Sequence, residues 1–255
     1  MLLDEPVLAQ DPSLSSMARG VTLGGGRLQE IVDRMMDLAE IETQSLQLEF
    51  ETTVLSQLLS DVVAGLSEAA NQRQIDIVLK DLSALPEIQV DQAALGKAFR
   101  HLVLNAIKYT PNGGQVLISG GYRHRLVAAG RDGRGVKITI TDSGIGIDPE
   151  HHERIFDKFY YVGQVGRHSS GTVEFRGGGP GLGLAIVKGI VVAHRGEVWV
   201  ESAGYDVDAC PGSSFHVLLP VEQPVIGEEM KQRLLQIEAF GFQQSQVGDP
   251  ALSDN

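Results

Sequence analysis

The order of helical and strand-like segments most restricts the fold that this chain can adopt. Apolar residues at three- and four-residue spacing predict helices, and alternating ones predict strands. In chain order these are a helix (27–43), a strand (46–50), a helix (54–72), a strand (75–79), a helix (92–109), two strands (115–126 and 136–141), a helix (182–194) and two strands (197–201 and 214–219). Adjacent hairpins replace strict β-α-β alternation, which predicts an α+β two-layer sandwich with helices on one face of a mixed sheet.

The flanking and connecting segments are richer in glycine and proline. Residues 1–26 include Gly24-Gly25-Gly26 and are expected to be loosely structured. The stretch 130–135 is expected to be a turn between two strands. After Pro220, a short helix near 228–240 is expected to lead into a polar end.

Composition narrows the class of protein. The 255 residues are 42% hydrophobic, enough for a packed core, and carry a formal net charge of −12. An acidic chain gains no counterion release on nucleic acid, so we expect no nucleic-acid partner. Cys210 is the only cysteine, which argues against a disulfide framework or a thiolate zinc site.

Export and membrane signals are weak. The longest apolar stretch, 182–193, is short and interrupted by Lys188. Asp4 and Glu5 lie where a secretory signal would carry basic residues. We therefore expect a cytoplasmic chain that makes no membrane contact itself, although a full-length parent protein could be membrane-anchored.

One face of the predicted helix over 92–109 carries polar groups. Asp91 is placed to cap the helix. His101, Asn105 and Lys108 are four and three residues apart, so they share a face. An amide oxygen and an ammonium group on one face can reach a hydrated Mg²⁺ ion and the phosphates that it bridges. A solvated helix face explains the pattern about equally well.

A carboxylate and two glycines follow the predicted strand over 136–141. Asp142 stands at the strand end, and Gly144 and Gly146 let the backbone approach a flat ligand. The carboxylate can accept a hydrogen bond from adenine N6, whereas guanine presents an acceptor there and would be repelled. For this segment alone, a tight Asp-Ser-Gly turn is the favoured interpretation.

Two further segments are aromatic or rich in glycine. Ile155-Phe156-Asp157-Lys158-Phe159-Tyr160, taken alone, is typical of core packing. Gly177-Gly178-Gly179-Pro180-Gly181-Leu182-Gly183-Leu184 opens the last predicted helix. Glycines at a helix N-terminus expose amides to phosphate, although a flexible linker fits as well. No Gly-Lys-Ser/Thr follows and no strand precedes, which excludes a Walker A loop and a Rossmann fingerprint.

In this order, the four clusters together resemble the N, G1, F and G2 boxes of sensor histidine kinases, in the superfamily shared with gyrase and mismatch-repair ATPases. The matching stretches are 102–111, 142–147, 156–160 and 179–187, and the similarity covers roughly 27–221. Gly212-Ser213-Ser214-Phe215 also resembles the last strand of the family. The resemblance implies a Bergerat fold.

The resemblance also implies roles for individual residues. Asn105 would hold Mg²⁺ and, with Lys108 near the phosphates, would be catalytic, while Tyr109 packs by the nucleotide. Asp142 would bind the adenine amine. The other nucleotide-binding residues that it implies are Gly144, Gly146, Lys158, Phe159, Gly179, Gly181, Leu182, Gly183 and Leu184. Residues from about 161 to 178 would form a mobile ATP lid that supplies Arg167 or Arg176 to the phosphates.

The function implied is that of an ATP-binding catalytic domain of a two-component sensor histidine kinase. It would use ATP and Mg²⁺ and transfer the γ-phosphate to a histidine outside this chain. The implied partners are a phosphoacceptor histidine domain and a response regulator. A non-catalytic ATP-dependent sensing or interaction module is the main alternative. A serine kinase of the anti-sigma-factor type and a gyrase-type ATPase fit less well.

Two features depart from the family pattern. None of the seven histidines begins the acidic-Arg-Thr-Pro phosphoacceptor motif, and His152-Glu153-Arg154 lies between the G1 and F boxes. We therefore interpret 1–46 as the remnant of a dimerisation and phosphoacceptor region without its acceptor. Residues 47–222 would be the catalytic domain and 223–255 a tail, partly helical or disordered; the oligomeric state stays open.

The second departure is His101. Histidine kinases often carry Asn at this place, and the ATPases carry a Glu that activates water. Without that Glu, we expect slow ATP hydrolysis at most, and the role of His101 stays open.

Overall fold

The computed structural model describes residues 12–43, 46–128, 131–162, 175 and 181–222. Its elements are α1 (Pro12–Glu42), β1 (Glu51–Thr53), α2 (Leu55–Ala64), α3 (Ser67–Gln72), β2 (Asp76–Lys80), β3 (Ile88–Val90), α4 (Gln92–Tyr109), β4 (Gln115–Ala128), β5 (Arg131–Asp142), α5 (Gly183–Ala193), β6 (Glu197–Glu201) and β7 (Ser213–Pro220). Two short 3-10 turns, Pro149–His151 and Arg154–Phe156, lie between β5 and α5.

The main sheet has five strands in the order β2-β4-β5-β7-β6. β2 and β4 are parallel, and the other neighbouring pairs are antiparallel. A small second sheet pairs β1 with β3 in antiparallel fashion. The main sheet is therefore mixed, as the sequence predicts, and β5 is its central strand.

Side chains alternate across the sheet, and one face forms the core. Buried apolar residues on this face are Val116, Ile118, Val136, Ile138, Ile140, Phe215, Val217 and Leu219. Helices α4 and α5 pack against the sheet and against each other. Removing this apolar surface from water is the main stabilising contribution. The prediction of a two-layer α/β sandwich is confirmed.

Several element bounds agree closely with the periodicity. α4 covers 92–109 as predicted, and the Asp91 side chain caps it by accepting a hydrogen bond from the Ala94 amide at 2.8 Å. β6 also has its predicted bounds. No helix among the described residues is both long and apolar enough to cross a membrane.

The expectation of loose structure over 1–26 is wrong from Pro12 onward, because α1 begins there and runs through the three glycines. Pro12 occupies a first helical position, where its missing N–H does no harm. Helix propagation adds one hydrogen bond per residue, so a short glycine run between helix-forming stretches weakens the helix without ending it.

Three other expectations need correction. The alternating segment 46–50 is not a strand, and in it the Glu49 amide donates to the Asp91 carboxylate at 3.0 Å. The predicted helix over 54–72 divides at Gly65, whose amide closes the end of α2. The stretch 131–135 belongs to β5, and a bulge between Arg123 and Leu126 adjusts the register. The expected helix near 228–240 lies outside the described residues.

Candidate functional site

α4 carries the polar face that the sequence singles out. His101 and Asn105 are half-buried, Lys108 is only 5% exposed, and Tyr109 at the helix end is exposed. The pattern is therefore not a solvated helix face. Instead, the fold buries nearly all of the Lys108 residue.

Lys108 is a buried cation without a neutralising contact. Within the described part of the chain, its ammonium group has no hydrogen-bond or ion-pair partner. Burial lowers the pKa of Lys108, the nearby Arg34 lowers it further, and Glu30 raises it. A buried, poorly compensated cation favours the binding of an anion.

His101 lies between α4 and the beginning of α5. A Cβ atom at Gly183, the first residue of α5, would lie 3.5 Å from His101 Nδ1. Burial, helped by the charge of Arg34, lowers the pKa of His101 to about 4. The imidazole is therefore neutral near pH 7, and it contacts the glycine-rich start of the helix without adding a positive charge.

Asp142 ends the central strand β5 and is 5% exposed. Burial raises the pKa of Asp142 to about 6, although the backbone N–H groups of Gly144 and Ser213 donate to its carboxylate. The Gly144 amide lies 2.9 Å from Oδ1. A carboxylate held this way is ionised at neutral pH, but it is poorly solvated and gains from one more donor.

The backbone of the loop 142–146 is fixed by contacts that exclude side chains. A Cβ atom at Gly144 would lie 2.5 Å from the Tyr109 carbonyl oxygen. Gly146 has φ +73°, and a Cβ there would overlap the Gly204 carbonyl oxygen. The Ile145 amide donates to the Tyr109 carbonyl at 3.1 Å, which joins this loop to the end of α4.

The aromatic and glycine-rich segments meet through the backbone. The Phe159 amide donates to the Gly181 carbonyl at 3.0 Å, and Gly181 has φ +67°. Leu182 is fully buried and Leu184 is partly buried against the core. Lys158 instead forms an ion pair with Glu42 of α1. Gly179, Arg167 and Arg176 lie outside the described residues.

The fold thus brings most of the four clusters into one connected region. The loop 142–146 is bonded to the end of α4, α4 contacts α5 through His101, and the segment before α5 is bonded to Phe159. Sequence reasoning missed two participants. Ser213 appeared only as part of a strand motif, and Arg34 gave no signal because its relation to α4 is tertiary.

The donor set limits which metal ion can bind. No group of three or more His, Cys, Asp or Glu side chains in the described ranges is arranged to hold a metal ion. Asn105 offers a single neutral amide oxygen. Such a ligand fits a cation that brings its own waters and a phosphate-bearing partner, as Mg²⁺ does.

Comparisons with known proteins agree with this geometry. Residues 90–223 match the family model described as histidine kinase-, DNA gyrase B-, and HSP90-like ATPase. Sensor histidine kinase RppB of Synechocystis sp. is 32% identical over 215 residues, which are 84% of this chain and 42% of RppB. The phosphate regulon sensor protein PhoR of Pseudomonas aeruginosa is 33% identical over 182 residues, which are 69% of this chain and 36% of PhoR.

A solved structure supports the same relation. The crystal structure of full-length ShkA in complex with AMPPNP is similar, with a TM-score of 0.64 and 25% identity. The match covers 82% of this chain and 39% of ShkA. The chain thus spans less than half the length of the curated relatives RppB and PhoR.

Proposed function

This chain belongs to the histidine kinase-, DNA gyrase B- and HSP90-like ATPase family, and from that premise we propose that it is the ATP-binding catalytic domain of a two-component sensor histidine kinase. It transfers the γ-phosphate of ATP to a histidine outside this chain. The observation that carries the proposal is the joining of two buried charges, Asp142 and Lys108, through one backbone contact between Ile145 and Tyr109.

Asp142 recognises the adenine in this proposal. Its carboxylate accepts a hydrogen bond from the exocyclic amine, and this bond compensates the desolvation that raises the pKa of Asp142 to about 6. Guanine presents a carbonyl oxygen at the same place, so it would face a carboxylate with no proton between them. The site therefore selects ATP over GTP.

Lys108 and Asn105 serve the phosphate end. The Lys108 ammonium group neutralises phosphate charge, which relieves its own burial without a partner. Asn105 would hold Mg²⁺ through its amide oxygen, since the described residues provide no larger set of ligands. A bound Mg²⁺ ion supplies further charge neutralisation at the phosphates.

In this reaction the domain forms no covalent bond with the substrate. An acceptor imidazole attacks the γ-phosphorus in line, the bond to the bridging oxygen breaks, and ADP leaves. Positioning and electrostatics are what the protein contributes. Transfer to water is slow, because position 101 carries no carboxylate and the pKa of His101, about 4, makes it a weak base.

The partners follow from the reaction. A phosphoacceptor histidine domain receives the phosphoryl group, and a response regulator takes it from there, in the cytoplasm. Several more features are proposed from family membership: the nucleotide contacts of Tyr109, Phe159 and Lys158, and those of the glycine-rich segment 179–184.

Calorimetric titration tests the nucleotide site directly. Asp142→Asn is expected to weaken Mg–ATP binding about 10- to 100-fold, because a charged hydrogen-bond acceptor becomes neutral. The matched control is Asp76→Asn, at an exposed position on β2, which should leave the affinity unchanged. Mg–GTP should not bind measurably. If the unmodified protein does not bind Mg–ATP, the proposal is wrong.

Phosphoryl transfer separates the kinase from its alternative. The protein is mixed with γ-labelled ATP and a separate helical hairpin that carries an acceptor histidine. Alkali-stable, acid-labile label on the hairpin supports the proposed kinase activity. Tight Mg–ATP binding with no such label would indicate a non-catalytic, ATP-dependent module.

A further inference from the structure

α1 docks on the two helices that carry the candidate site. Asp37 forms an ion pair with Lys97 of α4 at 2.7 Å. Ile41 packs so closely against Gly189 of α5 that a Cβ atom there would overlap it. α1 is therefore anchored by two ion pairs, Asp37 with Lys97 and Glu42 with Lys158, and by the apolar contact of Ile41.

Charged side chains of α1 act on charged side chains of α4 at two places. Asp37 meets Lys97 near the start of α4, and the charge of Glu30 reaches Lys108 near its end. Arg34 lies between them on α1. We call this set the charged seam: Glu30, Arg34 and Asp37 of α1 with Lys97 and Lys108 of α4.

Arg34 is buried at the middle of the charged seam, with 9% of its surface exposed. Among the described residues, its ion-pair partner is Glu30, one turn away on the same helix. Arg34 contributes to lowering the pKa of both His101 and Lys108. Those two residues flank Asn105 along α4, so the charge of Arg34 acts on both sides of Asn105.

Without a ligand, the charged seam has an unfavourable electrostatic energy, because buried positive charge exceeds the negative charge nearby. Arg34 and Lys108 are two buried cations that raise each other's electrostatic energy, and Glu30 is the nearby carboxylate that offsets them. Like charges in a desolvated setting repel strongly. In a chain with a net charge of −12, such a local excess of positive charge indicates an anion site.

We propose that Arg34 of α1 is a phosphate-binding residue that completes, with Lys108, the site for the terminal phosphate of ATP. This rests on the proposed function. The planar guanidinium fork suits bidentate contact with a phosphate, whereas Lys108 supplies a point charge. Because Arg34 belongs to α1, nucleotide binding and α1 docking must stabilise each other.

The test compares Mg–ATP with Mg–ADP, which lacks the terminal phosphate. Arg34→Gln should weaken Mg–ATP binding about 10-fold and Mg–ADP binding about 3-fold at most, since a charged hydrogen bond to phosphate is lost. Arg34→Lys, which keeps the charge and loses the fork, should fall between. Calorimetric titration of the full chain gives each affinity.

Two further variants exclude a purely structural role for Arg34. Glu30→Gln removes the carboxylate that competes for the guanidinium, so it should leave Mg–ATP affinity equal or higher. Ile41→Ala loosens α1 docking while keeping Arg34, and should lower affinity for Mg–ATP more than for Mg–ADP. A packing role predicts no such preference for the triphosphate.

The outcomes also separate this inference from the proposed function. If Mg–ATP binds the unmodified protein and Asp142→Asn weakens it, but Arg34→Gln and Arg34→Lys keep the original ratio of ATP to ADP affinity, the inference about Arg34 is overturned alone. If Mg–ATP does not bind the unmodified protein, both fail.

Discussion

The loop 142–146 and the charged seam are held in different ways. Backbone contacts fix the loop: the Gly144 amide donates to Asp142, the Ile145 amide to Tyr109, and the Gly212 amide to the Gly144 carbonyl at 2.8 Å. The seam is held by long charged side chains from two helices. One end of the candidate site is therefore built into the sandwich, whereas the other depends on where α1 lies.

The strongest way to break the rigid end is to alter Gly146. Gly146→Ala should destabilise the fold by about 4 kcal/mol, because the residue has positive φ and a Cβ would overlap the Gly204 carbonyl oxygen. Chemical denaturation gives the free energy of unfolding. The matched control is Gly113→Ala, which has φ +84° but open space around it, so only about 1 kcal/mol is expected. Equal losses in the two variants would contradict the steric argument.

The buried Asp142 carboxylate is expected to lower the stability of the fold at neutral pH, although it is needed for nucleotide binding in the proposed function. Its pKa rises from 3.8 to about 6 on folding, so the native state binds more protons between these values. Stability therefore falls as pH rises through this window, by about 3 kcal/mol in total. Asp142→Asn should recover most of this stability at pH 7 and little of it below pH 4, while its Mg–ATP binding is weakened.

Thermal unfolding of the nucleotide-free Asp142→Asn variant across pH 4 to 7 measures this effect. Asp76→Asn again serves as the control, because it makes the same substitution at an exposed position on β2. A constant difference between Asp142→Asn and the unmodified protein at every pH would show that desolvation of the carboxylate is not the cause.

His101, at the other end, should show the opposite pH dependence. Its pKa falls from 6.5 to about 4 on folding, so the unfolded state binds more protons in this window. Stability is therefore lost as pH falls from 6.5 to 4, by about 3 kcal/mol in total. His101→Asn should flatten this acid-side loss; an unchanged acid limb of the stability curve would contradict the assignment.

The smallest effect is expected at the exposed contact of the charged seam. Lys97→Gln removes the ion pair with Asp37, in which the Lys97 side chain is 56% exposed. Exposed ion pairs contribute roughly 0.2–1 kcal/mol, so the free energy of unfolding should fall by no more than that amount. A loss near that of Gly146→Ala would mean that α1 docking supports the whole sandwich.

Signals between neighbouring residues, such as helix caps and apolar periodicity, predicted part of the secondary structure. The helix over 92–109 has a capping aspartate and a regular apolar stripe, and both carry over into α4. The glycine run in 24–26 misled the prediction, because glycine lowers helix propensity without forbidding a helix. The prediction of a turn is also wrong over 131–135, because these residues pair with the backbone of β4, which local turn signals do not reveal.

The sequence predicted which residue types form the candidate site, but it did not predict the burial or the contacts of these residues. The sequence singled out Asp142, Asn105 and Lys108, and the fold joins their segments. Nothing in the sequence shows that Lys108 is 5% exposed, or that Lys158 pairs with Glu42 of α1. Burial and pairing depend on neighbours that are distant along the chain.

The sequence by itself determined the order of elements, the polar face of α4 and the carboxylate at the end of β5, because periodicity, capping and turn chemistry are local. Only the tertiary structure decided the raised pKa of Asp142, the lowered pKa of His101 and the meeting of Arg34 with α4. Desolvation and Coulomb interactions act through space, so these properties exist only once the helices have packed on the sheet.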